Sequence, residues 1–159
     1  MNHSVYLILG SNIEPEKNTL QAIRFLYRVC NLVKVSSTWE TVAVGSDGPN
    51  FLNTALWIET PLNAEEIKTT IIADLEKQLG RIRTTDKNAP RTIDLDIVIY
   101  DQTLLEPALW KKAFIAIPMA ELIPEYPHPD GKGTLKEFIH QFEGQNLAFL
   151  YPLPIEKFS

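Results

Sequence analysis

Four short apolar strands and two amphipathic helices, in the order β-α-β-β-α-β along 159 residues, predict an α+β fold. The expected architecture is a ferredoxin-like sandwich with a C-terminal extension packed on the sheet. Composition agrees, since 45% apolar and 22% charged residues is a globular balance. A chain of this size buries about 70% of its unfolded surface and needs no staples. Residues 1–159 are therefore expected to form one domain.

Val5-Tyr-Leu-Ile-Leu9 is a short apolar run ended by Gly10 and reads as a buried strand. Pro15 suits a first helical turn, and Leu20, Ile23, Leu26 and Cys30 follow at helical spacing. Cys30 falls on that stripe and reads as a core thiol. Leu32 to Trp39, rich in Val, Ser and Thr, is a second strand, and the loop 45–50 leads into a third, Phe51 to Glu59. Asn63 with Glu66 predicts a capping box; Ile67, Ile71, Leu75 and Leu79 form the helix stripe, and Gly80 stops it. Ile93 to Tyr100 is the fourth strand. Seven of the eleven prolines lie beyond residue 101, so this part is expected to wrap the sheet. It should carry a short helix near Pro118 to Leu122, and a second from the Thr134/Glu137 cap through Phe142.

Period-2 alternation assigns the faces. Leu52, Leu56, Ile58, Leu95, Ile97 and Ile99 point to the helices. Phe51, Asn53, Trp57, Asp94 and Asp96 then point to an open face.

Fifteen Lys and Arg against twenty Asp and Glu leave a net charge of −5, a poor match for nucleic acid or anionic membranes. The longest apolar runs are far short of the roughly 20 residues of a membrane span, and no leader pattern opens the chain. The single cysteine excludes an internal disulfide and cysteine-rich metal sites. A cytoplasmic monomer acting on small molecules, without nucleic-acid or membrane partners, is the expectation. Phosphate-loop, dinucleotide-fold, zinc-protease and serine-elbow motifs are absent. The scattered His3, His128 and His140 read as structural.

The informative stretch runs from Arg81 to Asp96. Arg81, Arg83, Lys87 and Arg91 put four of fifteen positive charges within eleven residues, on the connection entering the strand of Asp94 and Asp96. Carboxylates at i and i+2 share a face, roughly 6.5–7 Å apart by strand rise. Such a pair repels itself unless a cation intervenes, and Mg²⁺ is held this way beside substrate phosphates. Guanidiniums next to it match a polyphosphate. The residues alone leave two readings, solvated aspartates beside a basic loop or a Mg-nucleotide site, and do not specify an acceptor.

Lys87-Asn-Ala-Pro-Arg91-Thr-Ile-Asp94-Leu-Asp96-Ile-Val98 resembles the signature of the 6-hydroxymethyl-7,8-dihydropterin pyrophosphokinase family of the folate pathway at every defined position. Leu9-Gly-Ser-Asn12 looks like its opening loop and Phe51-Leu-Asn53 like its pterin-binding strand. Phe114 to Pro118, Glu121 to Pro124 and His128-Pro129 resemble its C-terminal block, so the likeness spans nearly the whole chain. The family fold is ferredoxin-like. The resemblance implies transfer of the β,γ-pyrophosphoryl group of ATP to the pterin hydroxymethyl oxygen, releasing AMP. It implies two Mg²⁺ on Asp94 and Asp96, with Arg81 and Arg91 joining them as catalytic groups. Arg81, Arg83, Lys87, Arg91 and Lys112 would hold ATP, and Glu76 would support the loop. Pterin would stack between Phe51 and Phe114, with Asn53 and backbone near Thr41, Val42 and Val44 meeting its ring. No general base is assigned.

Two departures stand out. Family members usually carry Pro-His and then an arginine before the residue matching Phe114; here the segment is shorter, lacks the histidine and offers Lys112. Lysine keeps the charge but loses the bidentate fork. Asn88 also replaces an aromatic found in some members. Both changes touch the ATP side, so the alternative is a catalytically weakened member that binds pterin and nucleotide. A nucleic-acid binder on the same fold is disfavoured, since the third strand lacks the aromatic-and-glycine signature and the face carries aspartates.

Overall fold

The structure, a computed structural model, describes residues 2–42, 48–81 and 91–154. β1 (His3–Ser11) is the apolar opening run, and α1 (Pro15–Val29) starts at Pro15, where a missing N–H costs nothing. β2 (Asn31–Thr41) and β3 (Phe51–Thr60) follow as an antiparallel pair. α2 (Ala64–Glu66) opens on the expected capping box: Glu66 N–H donates to Asn63 Oδ1 at 2.8 Å and Asn63 N–H to Glu66 Oε1 at 2.9 Å. The helix widens to π geometry over Ile67–Ile72, returns to α in α3 (Ala73–Gln78), and ends before Gly80, whose φ of 68° only glycine adopts freely.

β4 (Asp94–Tyr100) and the short β5 (Thr103–Leu104) form a hairpin. A 3₁₀ turn at Pro107–Trp110 leads to α4 (Ala113–Leu122). Glu137 then accepts from both the N–H and the hydroxyl of Thr134, opening α5 (Leu135–Phe138), which continues as 3₁₀ turns over Ile139–Phe142. β6 (Ala148–Tyr151) closes the described chain. The six strands run β5-β4-β1-β3-β2-β6, antiparallel throughout. Among the described residues no helix is long and apolar enough to cross a membrane.

Each sheet face has its own core. On one, Leu7 and Leu9 of β1 and Leu56 of β3 pack with Ile23 and Leu26 of α1 and Leu75 of α3. On the other, Ile8 and Ala55 pack with Ile115, Ala116 and Met119 of α4. Two apolar layers on one sheet is what sandwiches a half-polar strand pattern between helices.

Four expectations change. The face opposite α1 is not fully open, because α4 closes its middle and leaves only the end toward Gly10 and Asp94. Ile99 joins the α4 core rather than the α1 core. The cause is a bulge in the β1–β4 ladder, where Tyr6 pairs with Ile99 but Leu7 pairs with Ile97, so the period-2 phase reverses at Val98. α4 begins at Ala113, five residues before the expected start, with Pro118 inside it. Burial of Ala113, Ile115, Ala116, Met119 and Ala120 around the helix outweighs the carbonyl that Pro118 leaves unpaired. β5 and β6 were not expected; both are short edge strands with little apolar periodicity.

Candidate active site

Strand register builds the site. Gly10 of β1 pairs with Asn53 on one side and Asp94 on the other, and two residues back along β1, Ile8 pairs with Asp96. Asn53, Gly10 and Asp94 therefore form one row across three strands, with Asp96 in the next. At the end that α4 leaves uncovered, these residues line a cavity of about 300 Å³. Thr41, Val42 and Phe51 bound it from the β2 and β3 ends, and Phe114 and Lys112 from the start of α4.

The end of the cavity toward β2 and β3 is apolar with one fixed amide. Asn53 is 3% exposed, and its Nδ2 donates to Thr41 Oγ1. That bond fixes the amide plane and leaves Oδ1 over Gly10, where an added Cβ would stand 3.0 Å away. A glycine inside a strand weakens it unless something must approach the backbone. Here the approach is into the cavity.

The charged end centres on Asp94. Arg81 Nη1 donates to Asp94 Oδ1 at 3.0 Å and Arg91 Nη1 to Oδ2 at 2.8 Å, so each oxygen has its own guanidinium. Arg81 also reaches Glu76 Oε2 at 2.8 Å and is almost wholly buried, behind Asp94 rather than on the cavity wall. Its buried Nε has no hydrogen-bond partner among the described residues. Asp96 differs. Its side chain is open to solvent in the cleft, and among the described residues it accepts no hydrogen bond. Crowding by the surrounding protein, followed by the charges of Asp94 and Glu106, lifts its carboxyl to about 6, against the opposing pull of Arg81 and Arg91.

Glu106 was not singled out in the sequence, yet it lines the cavity. The bulge residue Val98 explains how: its carbonyl accepts both Leu105 N–H at 2.8 Å and Glu106 N–H at 3.2 Å, which carries Glu106 toward Asp96. A bulge is a long-range ladder event with no local spacing to announce it.

Of the expected site residues, Thr41, Val42, Phe51, Asn53, Arg91, Asp94, Asp96, Lys112 and Phe114 share this one cavity. Glu76 and Arg81 stand behind it as an ion pair. Val44, Arg83 and Lys87, with Asn88, lie outside the described residues.

The donor set suits a hard cation. Among the described residues no cluster of three or more His, Cys, Asp or Glu is set for a metal. Two carboxylates suffice for Mg²⁺, which takes its other ligands from water and substrate phosphates. Asp96 is the open one, and the part of its raised proton affinity that comes from Asp94 and Glu106 is negative charge that a cation would relieve.

Residues 6–124 match the family model for 7,8-dihydro-6-hydroxymethylpterin-pyrophosphokinase. The chain is 34% identical over 145 residues to the 2-amino-4-hydroxy-6-hydroxymethyldihydropteridine pyrophosphokinase of Aquifex aeolicus, covering 85% of this chain and 89% of that one. It is 31% identical over 152 residues to the enzyme of the same name from Synechocystis, covering 89% and 77%. The crystal structure of wild-type Plasmodium falciparum HPPK-DHPS with pteroate superimposes with a TM-score of 0.67 at 11% identity. That match covers 99% of this chain but only 45% of the Plasmodium chain, and it speaks to the fold alone. The matched span and the identity to the Aquifex and Synechocystis enzymes agree: the chain belongs to the 7,8-dihydro-6-hydroxymethylpterin-pyrophosphokinase family.

Proposed function

We propose that the chain carries out its family's reaction, pyrophosphoryl transfer from ATP to 6-hydroxymethyl-7,8-dihydropterin in folate biosynthesis, in the cavity at the uncovered end of the sheet. The observation that supports this most is the convergence of two chemistries in one 300 Å³ space, Asp94 and Asp96 at one end and Phe51, Asn53 and Phe114 at the other.

In this reading the flat pterin lies between Phe51 and Phe114, where aromatic area supplies most of its affinity. Asn53, locked by Thr41, discriminates the ring, because a wrong heterocycle leaves a buried amide unpaired. Arg91 and Lys112, both on the cavity wall, meet phosphate oxygens, and Arg83 and Lys87 add charge. Arg81 and Glu76 hold Asp94 in place from behind. Asp94 and Asp96 would hold Mg²⁺, two ions in the full assembly, which supplies charge neutralisation and polarisation of the phosphates. The hydroxymethyl oxygen would bond to the β-phosphorus as the bond from that phosphorus to the α–β bridging oxygen breaks; AMP leaves with the bridging oxygen, and the hydroxyl proton is released to solvent. Catalysis is chiefly positioning and electrostatics. A ferredoxin-like reading of the core is supported by the β4-β1-β3-β2 order with α1 and α2–α3 on one face.

Purified protein incubated with ATP, Mg²⁺ and the hydroxymethyl pterin is expected to form AMP and pterin diphosphate one for one, read by ³¹P NMR. ADP as the product, or no nucleotide turnover, would overturn the proposal.

A further inference from the structure

Asn12 is nearly fully buried just beyond β1, yet it contributes nothing to either apolar core. Its amide is spent at both ends on chain segments that carry opposite halves of the cavity. Oδ1 accepts the backbone N–H of Arg91 at 2.6 Å, and Nδ2 donates to the carbonyl of Pro49 at 3.3 Å. Its own N–H donates to the Arg91 carbonyl at 3.0 Å, and Ile13 N–H reaches the same oxygen at 3.2 Å. Ser11 Oγ adds a 2.6 Å bond to the Thr92 carbonyl.

Neither Pro49 nor Arg91 belongs to a strand, so these bonds replace the ladder that would otherwise hold them. Pro49 stands two residues before Phe51, an aromatic wall of the cavity. Arg91 grips Asp94 at the other end. A single buried side chain thus sets the spacing between the two.

We infer that Asn12 is a positioning residue, tying the pterin wall at Phe51 to the phosphate-side Arg91 so that the two substrates are held at a fixed separation. The inference rests on the proposed assignment of the cavity's two ends. The two ends of the amide have separable duties. Asn12→Asp keeps an acceptor for Arg91 N–H but sets a carboxylate against the Pro49 carbonyl. Asn12→Ala removes both links. Losing one hydrogen bond that holds a wall costs about tenfold in affinity for what the wall binds.

The test is calorimetric titration of the full chain and both variants with 6-hydroxymethyl-7,8-dihydropterin, and separately with Mg²⁺ and α,β-methylene ATP, alongside thermal melts. Asn12→Asp is expected to weaken the pterin about tenfold while leaving the nucleotide within about threefold. Asn12→Ala is expected to weaken both by about tenfold. Equal shifts for the two ligands in Asn12→Asp, or losses in either variant that merely track the unfolded fraction, would assign Asn12 a structural role and overturn the inference. Unchanged affinities in Asn12→Ala would do so even if Asn12→Asp failed to fold. Failure of the unmutated chain to bind either ligand is a different result, removing the assignment of the cavity itself.

Discussion

Gly10 and Asn53 face each other across the β1–β3 ladder so closely that a Cβ on Gly10 would stand 3.0 Å from Asn53 Oδ1 and 3.6 Å from a ring carbon of Phe51. The first distance is shorter than ordinary carbon–oxygen contact, and Asn53 is pinned by Thr41, so the amide cannot swing away without losing that bond. Gly10→Ala should therefore weaken pterin binding about tenfold or more, the loss attached to one displaced hydrogen-bonding group. Its melting temperature should fall as well, since displacing Asn53 breaks its buried bond to Thr41. Fluorescence titration with the pterin checks this. Unchanged affinity would show that Asn53 is not read by the ligand.

Glu76 carries a second prediction. It pairs with Arg81 where both side chains are mostly buried, 13% and 9% exposed. Breaking a buried pair leaves a guanidinium whose desolvation is no longer offset. Glu76→Ala should cost about 2–4 kcal/mol of stability, measured by urea unfolding. Because Arg81 also holds Asp94, the same variant should raise the Michaelis constant for ATP. A variant as stable as the parent would mean that Asp94 alone satisfies Arg81.

Asp96 predicts a pH dependence. Its carboxyl is raised to about 6 in the folded protein and returns to the ordinary carboxylate range on unfolding. Between those values the unfolded chain has released a proton that the folded chain still holds. Stability therefore falls as pH rises from about 4 to about 6, and the penalty is full above that. Removing the group should remove the penalty. In chelator, Asp96→Asn should melt higher than the parent at pH 8 and at the same temperature at pH 4. A lower melting point at pH 8 would show that the carboxylate is held by favourable contacts.

Cys30 closes the apolar stripe of α1, where burial pushes its thiol up to about 11 and Sγ donates to the Leu26 carbonyl. At pH 8 the reactive thiolate is about 0.1% of the total. Labelling with a thiol reagent should be slow in native protein and fast in urea, with activity intact after brief exposure. Rapid native labelling would mean that the stripe opens on the experimental timescale.

What was legible in the chain was local and periodic. Asp94 and Asp96 could be placed together because i and i+2 of a strand share a face, and the Asn63/Glu66 cap because both partners lie within one turn. What escaped depended on partners far along the chain. The bulge at Val98 reverses the phase seen by Ile99 and brings Glu106 to the cavity, and nothing near Val98 marks it. The bonds from Ser11 to Thr92 and from Asn12 to Arg91 span about eighty residues, so the Leu9-Gly-Ser-Asn12 stretch was recognisable without its purpose being readable. The helix expected near Pro118 to Leu122 starts earlier, at Ala113, because burial of α4 against the sheet outweighs the carbonyl that Pro118 leaves unpaired.

Asp96, open to the cleft and unpaired among the described residues, serves the transfer rather than the fold in the proposed reaction. Single-turnover formation of AMP by Asp96→Ala, measured beside its melting temperature, tests this most directly. The expected rate is at least about a thousandfold below the parent, as when a principal charge-stabilising group is lost, in a protein that melts within a few degrees of it. Turnover at the parental rate, or a loss matched by collapse of the melting temperature, would contradict it.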